Sequence, residues 1–466
     1  MLTEKGQNDA EAHLRALDQR HLLHPWAHFD SFERDGAMVV DSGEGCYLTD
    51  ANGKTYLDAV GGMWCTNIGL GRKEMAQAIA EQVEQLAYSS TFVDMTNGPS
   101  ALLAQKLASL TPGDLNRMHF TTGGSTAVDS AYRLIGFYNY CRGLPEKTHV
   151  IARDQAYHGS TFVTMSIGNK AADKVTEFQY LRDGIHHISA PHYYRAEDGL
   201  SEEAFTDQLI AEFEAKIAEI GADKVGAFFA EPIQASGGVL VPPKGYLKRM
   251  WEVCKKHDIL FVADEVVTAF GRLGHFFAIE DEFGVVPDII TTAKGLSSGY
   301  LPMGAMIYSD RIHEVISQGD ENRWFTSGYT YSGHPVCCAA ALKNIEIMER
   351  EKLMENATDV GSYFEQQLHT LNDLDIVGNV RGRKMMMCVE NVKNKATKEL
   401  LPDEINIGKR ISHVAEGLGL LVRPIGHLNV MSPPLTLTRK DVDFLVATLR
   451  KAITTVTAEL RAEGHL

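Results

Sequence analysis

Residues 259–264 of the chain read Ile-Leu-Phe-Val-Ala-Asp, and residues 289–294 read Ile-Ile-Thr-Thr-Ala-Lys. Both are short apolar runs without polar alternation, a pattern typical of strands that are buried on both faces of a sheet. Residues 149–152 and 225–230 have the same character. Between the runs at 225–230 and 259–264, one face of a predicted helix carries Leu247, Met250, Trp251 and Cys254. Strand, helix and strand in succession predict a parallel sheet.

The flanking sequence predicts further elements around this sheet. Near the start, two strand-like pieces meet at Asn52-Gly53, a pair that favours a tight hairpin turn. After residue 335, periodicity predicts a helix near 336–350, a strand over 381–390, a helix near 404–418, strands over 420–424 and 428–434, and a closing helix from Thr438. These 130 or so residues look like a separate α/β unit.

Composition argues against several classes of protein. The chain of 466 residues has 45 basic and 61 acidic side chains, a net charge of −16 that disfavours a nucleic-acid partner. It lacks an apolar run of the length that a membrane span needs, and its start does not resemble a signal peptide, so we predict an unexported protein without a membrane partner.

The seven cysteines are scattered and form no C-x-x-C pair, which is typical of reduced thiols in a cytoplasm. The adjacent His186 and His187 lack an accompanying carboxylate or cysteine set, so we predict no metal site.

Three of the predicted strands end in a polar or reactive residue. Glu231 follows the run at 225–230, Asp264 ends the run at 259–264, and Lys294 ends the run at 289–294. Ligands of open parallel sheets bind at the carboxyl ends of the strands, so these side chains are expected to converge on one crevice. Any one of them alone is better explained as a strand end that meets water, but three in succession favour a site.

Glycine-rich residues 119–126 precede a helical stretch and include Gly123, Gly124 and Ser125. Glycines followed by a hydroxyl residue at a helix start expose backbone N–H groups and the positive end of the helix dipole, which suits a phosphate. By itself this pattern is more typical of a structural cap, and it matches neither the P-loop nor the dinucleotide spacing.

Together, these features match the requirements of pyridoxal 5'-phosphate. Its phosphate needs a helix start, its aldehyde reacts with a lysine, and its ring nitrogen needs a carboxylate that keeps it protonated. Tyr157, in residues 156–159, would stack on the ring. The residues therefore predict an enzyme that uses this cofactor.

Seven motifs resemble those of the class III aminotransferases of fold type I, in particular the ω-amino acid and amine:pyruvate transaminase branch. They are DAVGGMW (58–64), AYHGST (156–161), AEPIQASGG (230–238), DEVVTAFGR-x-G (264–274), TTAKGLSSGYLPMGA (291–305), YTYSGHP (329–335) and LLVRPIGHLNVMSPPL (420–435). The resemblance extends from His24-Pro25 to the last helix. It implies a large cofactor-binding domain with a mostly parallel sheet over residues 76–335. The smaller α/β domain would combine segments 1–75 and 336–466.

The resemblance implies a role for individual residues of the cofactor site. Lys294 would be the Schiff-base lysine and the proton shuttle, and Asp264 the partner of the ring nitrogen. The other residues placed on the cofactor are Gly124, Ser125, Tyr157, His158, Glu231, Val266 and Thr330. Within this set, His158 is expected to be a hydrogen-bonded structural imidazole rather than an acid or base. Thr330 would reach the phosphate from the neighbouring subunit, which implies a homodimer.

On the substrate side, the resemblance implies that Trp64, Phe92, Val93 and Arg423 form the pocket, with Phe92 supplied by the partner chain. For Met63, a pocket position and a core position are both open. Relatives that use 2-oxoglutarate carry a glutamate where this chain has Ser236. Without that gating partner for Arg423, a monocarboxylate such as pyruvate is the favoured acceptor.

The sequence thus predicts a cytoplasmic, homodimeric transaminase that moves an amino group from a primary amine or ω-amino acid to pyruvate. Alternatives within the fold are a narrower transaminase for taurine, β-alanine, a polyamine or the diamine precursor of biotin. The same cofactor and lysine would also serve a decarboxylase, a racemase or an aminomutase. A cofactor-free scaffold would require Lys294 and Asp264 to be incidental.

Overall fold

The computed structural model describes residues 4–319 and 322–466. Its strands, in chain order, are β1 (Val40–Glu44), β2 (Tyr47–Asp50), β3 (Thr55–Asp58), β4 (Arg117–Thr121), β5 (His149–Arg153), β6 (Ile185–Ile188), β7 (Val225–Ala230), β8 (Leu260–Asp264), β9 (Ile289–Thr292), β10 (Gly304–Tyr308), β11 (Val377–Arg383), β12 (Met386–Asn391), β13 (Leu420–Leu421), β14 (Arg423–Ile425) and β15 (Leu428–Met431).

The α-helices of the same residues are α1 (Glu4–His21), α2 (Phe29–Asp35), α3 (Gly61–Trp64), α4 (Lys73–Leu86), α5 (Gly98–Ala108), α6 (Gly124–Cys141), α7 (Phe162–Ile167), α8 (Glu202–Ile220), α9 (Tyr246–Lys256), α10 (Ala278–Phe283), α11 (Asp310–Ile316), α12 (Pro335–Arg350), α13 (Leu353–His369), α14 (Ile407–Gly417) and α15 (Arg439–Ala462).

The central sheet has seven strands in the order β4-β10-β9-β8-β7-β5-β6. Neighbouring strands from β9 to β6 pair in parallel, which confirms the parallel sheet predicted from the apolar runs. Only β10 runs against its neighbours β9 and β4, a reversal that the sequence analysis did not include.

Helices cover both faces of this sheet, which explains why its strands lack polar alternation. On one face, Phe228 and Phe261 belong to the same buried cluster as Leu247 of α9. On the other face, Phe229 and Val262 are clustered with side chains of α6. Consecutive residues of one strand thus enter two different cores, because side chains alternate across a strand.

Two smaller sheets are built from the ends of the chain, in the orders β1-β2-β3-β13 and β11-β12-β15-β14. In the first, Leu420 of β13 pairs with Leu57 of β3 in parallel, so the N-terminal and C-terminal segments share one sheet. Helix α12, which follows the boundary predicted at 335, packs against α4 and α5. The division into domains at residues 75 and 335 stays a prediction.

The hairpin predicted at Asn52-Gly53 is present between β2 and β3. The Asp50 carboxylate accepts the backbone N–H groups of Asn52 and Lys54, each at 2.9 Å, and Gly53 has a φ of 82°. Residues 381–390, which we expected to form one strand, instead contain a chain reversal between β11 and β12. Lys384 makes this turn with a φ of 50°, a conformation that its sequence surroundings do not signal.

Within residues 4–319 and 322–466, no helix combines the length and the hydrophobicity needed to cross a bilayer.

Candidate active site

A cavity of about 620 Å³ opens at the carboxyl ends of β7, β8 and β9, beside the start of α6. Many of the residues predicted for the site line it: Met63, Trp64, Gly124, Ser125, Tyr157, His158, Glu231, Asp264, Val266, Lys294 and Arg423. The expected convergence of the three strand ends therefore occurs, because parallel strands bring their carboxyl ends to one edge of the sheet.

Asp264 is held in a fixed orientation at the floor of the cavity. Its Oδ2 atom lies 2.6 Å from Nδ1 of His158, and its Oδ1 atom accepts the backbone N–H of Val266 at 3.1 Å. Both side chains of the His158–Asp264 pair are buried. Because a carboxylate only accepts hydrogen bonds, Nδ1 of His158 carries the proton of this contact. The imidazole is thus a hydrogen-bonded partner of Asp264, as its predicted structural role requires.

Lys294 begins a single 3₁₀ turn, Lys294–Leu296, immediately after β9. Its backbone has a φ of 42°, a region that non-glycine residues seldom adopt and that is often found at functional sites. The turn is held tightly, since a Cβ atom on Gly295 would lie 2.8 Å from Cβ of Phe270. Burial lowers the pKa of the Lys294 ammonium, and the nearby carboxylate of Asp264 opposes this effect. Burial therefore favours the neutral amine, which is the nucleophilic form.

The start of α6 forms a cradle for an anion. The helix begins at Gly124, and its first turn has no acidic side chain to neutralise the positive end of the dipole. A Cβ atom on Gly124 would lie 2.9 Å from a methyl group of Val266, so glycine allows the helix start to approach the end of β8. Ser125 Oγ accepts the backbone N–H of Ser160 at 3.0 Å.

Gly159 is required where the residue 156–161 loop crosses this helix start. Its φ is 136°, and a Cβ atom there would lie 2.6 Å from Oγ of Ser125. The loop also carries Tyr157, whose hydroxyl is 2.9 Å from Oγ of Ser160 and whose ring lies edge-on to Trp26, with 6.2 Å between centroids.

Glu231 lines the cavity but is occupied by backbone contacts. One oxygen accepts the N–H of Tyr157 at 3.2 Å, and the other accepts the N–H of Ala235 at 2.9 Å. Burial raises the pKa of this carboxyl group. The geometry therefore makes Glu231 a support for the Tyr157 loop, and its predicted contact with the cofactor stays a prediction.

The donor set of the cavity fits pyridoxal phosphate. A buried amine, a carboxylate oriented by an imidazole, an aromatic side chain and a helix start free of acidic groups lie around one space. Lys294 would hold the aldehyde carbon, Asp264 the ring nitrogen, and Gly124 with Ser125 the phosphate. Tyr157 and Val266 would lie along the ring.

The outer part of the cavity contains Trp64, Met63 and Arg423. The Arg423 guanidinium is half-buried and contacts the thioether of Met63. Burial lowers the pKa of this guanidinium, and Tyr157 and Asp173 oppose the shift. The side chain of Met63 is 55% exposed, so the alternative that placed it in a core is wrong.

Phe92, Val93 and Thr330 do not line the cavity of their own chain. They lie on two adjacent loops at the surface: the Tyr88 hydroxyl donates to the Thr330 carbonyl at 2.9 Å, and Phe92 packs against Gly328. Phe92 and Val93 are 47% and 80% exposed. These loops form an exposed apolar surface.

Several residues of the cavity were not predicted from the sequence, among them Trp26, Lys170 and Asp173. Lys170 and Asp173 belong to a short polar segment without helical or strand periodicity, and such a segment is indistinguishable from a solvated loop. Trp26 adjoins the His24-Pro25 pair where the family resemblance begins, which is the one signal that pointed to it.

Comparison with known proteins places these features in one family. The family described as aminotransferase class-III matches residues 31–453. A protein of Pseudomonas aeruginosa named putrescine–pyruvate aminotransferase is 38% identical over 450 residues, which cover 96% of this chain and 97% of the relative.

Solved structures agree with this assignment. An (S)-enantioselective omega-transaminase from Thermomicrobium roseum is 40% identical and superposes with a TM-score of 0.93, covering 96% of this chain and 98% of its own. The PMP-bound form of an aminotransferase from Vibrio fluvialis is 34% identical with a TM-score of 0.92, over 96% of this chain and 98% of its own.

An aminotransferase of this kind uses one cofactor to pass an amino group from an amine donor to a keto acid acceptor. The match over nearly the whole chain agrees with the donor set at the carboxyl ends of β7, β8 and β9. The chain therefore belongs to the class III aminotransferases, and its cofactor is pyridoxal phosphate.

Proposed function

We propose that this aminotransferase moves the amino group of a primary amine or ω-amino acid to pyruvate. The proposal rests on Arg423, which lines the same cavity as Lys294 and has no carboxylate partner among the described residues. Within the described part of the chain, no carboxylate lies within ion-pair distance of its guanidinium. Ser236, which also lines this cavity, cannot provide such a partner. Arg423 is thus available to a substrate carboxylate.

Pyridoxal phosphate supplies an electrophilic carbon and a conjugated ring that accepts electrons from the substrate. Lys294 would hold that carbon through Nζ, and its free amine would carry a proton within the cavity. Asp264, oriented by His158, would keep the ring nitrogen protonated. Tyr157 excludes water from one face of the site.

Arg423 would orient the acceptor. A guanidinium binds a carboxylate through two parallel charge-assisted hydrogen bonds, and this fixes the position of the neighbouring keto carbon. Pyruvate carries one carboxylate and so needs one such group. The name of the Pseudomonas aeruginosa relative supports the same acceptor.

We further propose that the active enzyme is a homodimer with shared sites. Thr330 would contact the phosphate bound by the partner subunit, and Phe92 and Val93 would complete the partner's substrate pocket. The exposed apolar side chains on these loops support this assembly, since a two-fold interface would bury them. A cytoplasmic location is supported by the seven cysteines, all of them free thiols.

Replacing Lys294 with alanine should abolish turnover and leave the fold intact, because the variant loses both the covalent attachment and the proton carrier. Amino transfer from an amine to pyruvate is measured by chromatography, with circular dichroism to check folding. Partial recovery on addition of a small exogenous amine is expected. Ordinary activity in Lys294→Ala without added amine would contradict this role.

Replacing Asp264 with asparagine should leave cofactor bound but lower kcat by two orders of magnitude or more, on the order of 3 kcal/mol of lost transition-state stabilisation. A neutral amide cannot hold the ring nitrogen protonated. His158→Asn, which removes the orienting imidazole but leaves the charge, should cause a smaller loss. Bound cofactor is quantified by absorbance alongside steady-state rates. Near-normal kcat in Asp264→Asn would mean that another residue protonates the ring.

Thr330→Ala should weaken cofactor retention and, through linkage, lower the stability of the dimer when cofactor is limiting. Thr326→Ala, on the same exposed loop, is the matched control and should change neither. Cofactor dissociation and sedimentation velocity are measured for both variants. A fully active monomer would contradict the shared site.

Arg423→Ala should raise the KM for pyruvate by an amount that corresponds to about 2–4 kcal/mol of lost binding, because the substrate carboxylate loses its partner. An amine donor without a carboxylate should be affected much less. Arg383→Ala, an exposed arginine outside the cavity, controls for loss of positive charge. The two half-reactions are measured separately. Equal losses for the amine and for pyruvate would show that Arg423 has a structural role.

A further inference from the structure

The cavity contains one acidic side chain that the proposed mechanism does not use. Its acidic lining residues within the described chain are Asp173, Glu231 and Asp264. Both oxygens of Glu231 accept backbone N–H groups, and Asp264 is held by the buried imidazole of His158. Asp173 is therefore the carboxylate that remains available to a substrate.

Asp173 lies at the end of the 3₁₀ turn Ala171–Asp173. Its negative charge is only partly balanced by a neighbouring cation. Its Oδ1 atom is 3.1 Å from Nζ of Lys170, and each side chain of this pair is 15% exposed. Its Oδ2 atom makes no hydrogen bond within residues 4–319 and 322–466. This half-buried carboxylate can accept a further donor, because one ion pair leaves acceptor positions unfilled.

The same cavity thus presents opposite charges to a substrate. Arg423 provides a positive group, and the carboxylate of Asp173 is near enough to influence its pKa. Lys294 fixes where the reacting nitrogen must be, so the far end of a donor extends away from it. A far end with a carboxylate is attracted by Arg423 and repelled by Asp173, whereas a far end with an ammonium experiences the reverse.

We propose that Asp173 is a specificity-determining residue that binds the distal ammonium of an α,ω-diamine donor. This inference rests on the proposed function, because it assigns a substrate class to the amine site. Asp173 and Arg423 then divide recognition between the two half-reactions. The diamine is held through its second ammonium, and pyruvate is held through its carboxylate. One cavity in this way accepts two substrates of opposite charge without a gating glutamate.

Lys170 limits the strength of this recognition. The Lys170 ammonium already pairs with one oxygen of the Asp173 carboxylate. The distal ammonium of a diamine would therefore share the negative charge of Asp173 with Lys170. The expected preference is therefore moderate, about tenfold in KM, as for an ion pair that is partly screened.

The test compares three donors of similar length in the holoenzyme with pyruvate: putrescine, n-butylamine and 4-aminobutyrate. Asp173→Asn should raise the KM for putrescine about tenfold and leave kcat nearly unchanged. It should not alter the KM for n-butylamine, and it should lower the KM for 4-aminobutyrate and for pyruvate, because a repulsion of their carboxylates near Arg423 is removed. Normal turnover of n-butylamine also shows that the variant is folded.

Glu177→Gln is the matched control, since it removes the same charge from an exposed position of the neighbouring segment outside the cavity. It should change none of the three KM values. Equal effects of Asp173→Asn on putrescine and n-butylamine, or no effect on putrescine, would overturn the role of Asp173 alone. If the parent enzyme transfers an amino group from none of the three donors to pyruvate, the proposed function and this inference are overturned together.

Discussion

Parallel pairing of β7, β8 and β9 is the constraint on which the site depends. The three strands run in the same direction, so the residues at their carboxyl ends lie at the same edge of the sheet. Glu231, Asp264 and Lys294 are distant in sequence but share one cavity for this reason. The helix that begins at Gly124 points its start at the same edge, and this brings an anion cradle to the amine and the carboxylate.

Buried polar groups then hold this arrangement rigid. The buried Arg272, in the chain segment after β8, donates to Asn67 at 2.7 Å and also binds the backbone carbonyls of Met385 and Pro433. It thereby connects the cofactor-binding sheet to both the N-terminal and the C-terminal segments. Burial lowers the pKa of this guanidinium to about 10, which still leaves it charged at neutral pH. A fixed charge of this kind is costly to bury, and the hydrogen bonds of its two terminal nitrogens offset part of that cost.

The two ends of the cavity differ in electrostatic character. At the inner end, Asp264 is buried, and burial lowers the pKa of the Lys294 ammonium while the carboxylate of Asp264 opposes that shift. At the outer end, Arg423 and Asp173 keep partial contact with solvent and carry opposite charges. In our proposals, the chemistry common to the aminotransferase family belongs to the inner end and the choice of substrate to the outer one. Substitutions at the outer end can therefore alter specificity without disturbing the reacting groups.

The sequence by itself determined four buried strands of the parallel part of the sheet and the reactive residues at their ends, because apolar runs encode burial and parallel topology brings the ends together. It also located Tyr157 and the start of α6, since glycine and hydroxyl residues at a helix start have a local signature. The tertiary structure alone decided that His158 contacts Asp264, that Lys384 reverses the chain, and that Asp173 lines the cavity. These features depend on loops and on contacts between distant segments. Loops and long-range contacts produce no periodic pattern of apolar residues in the sequence.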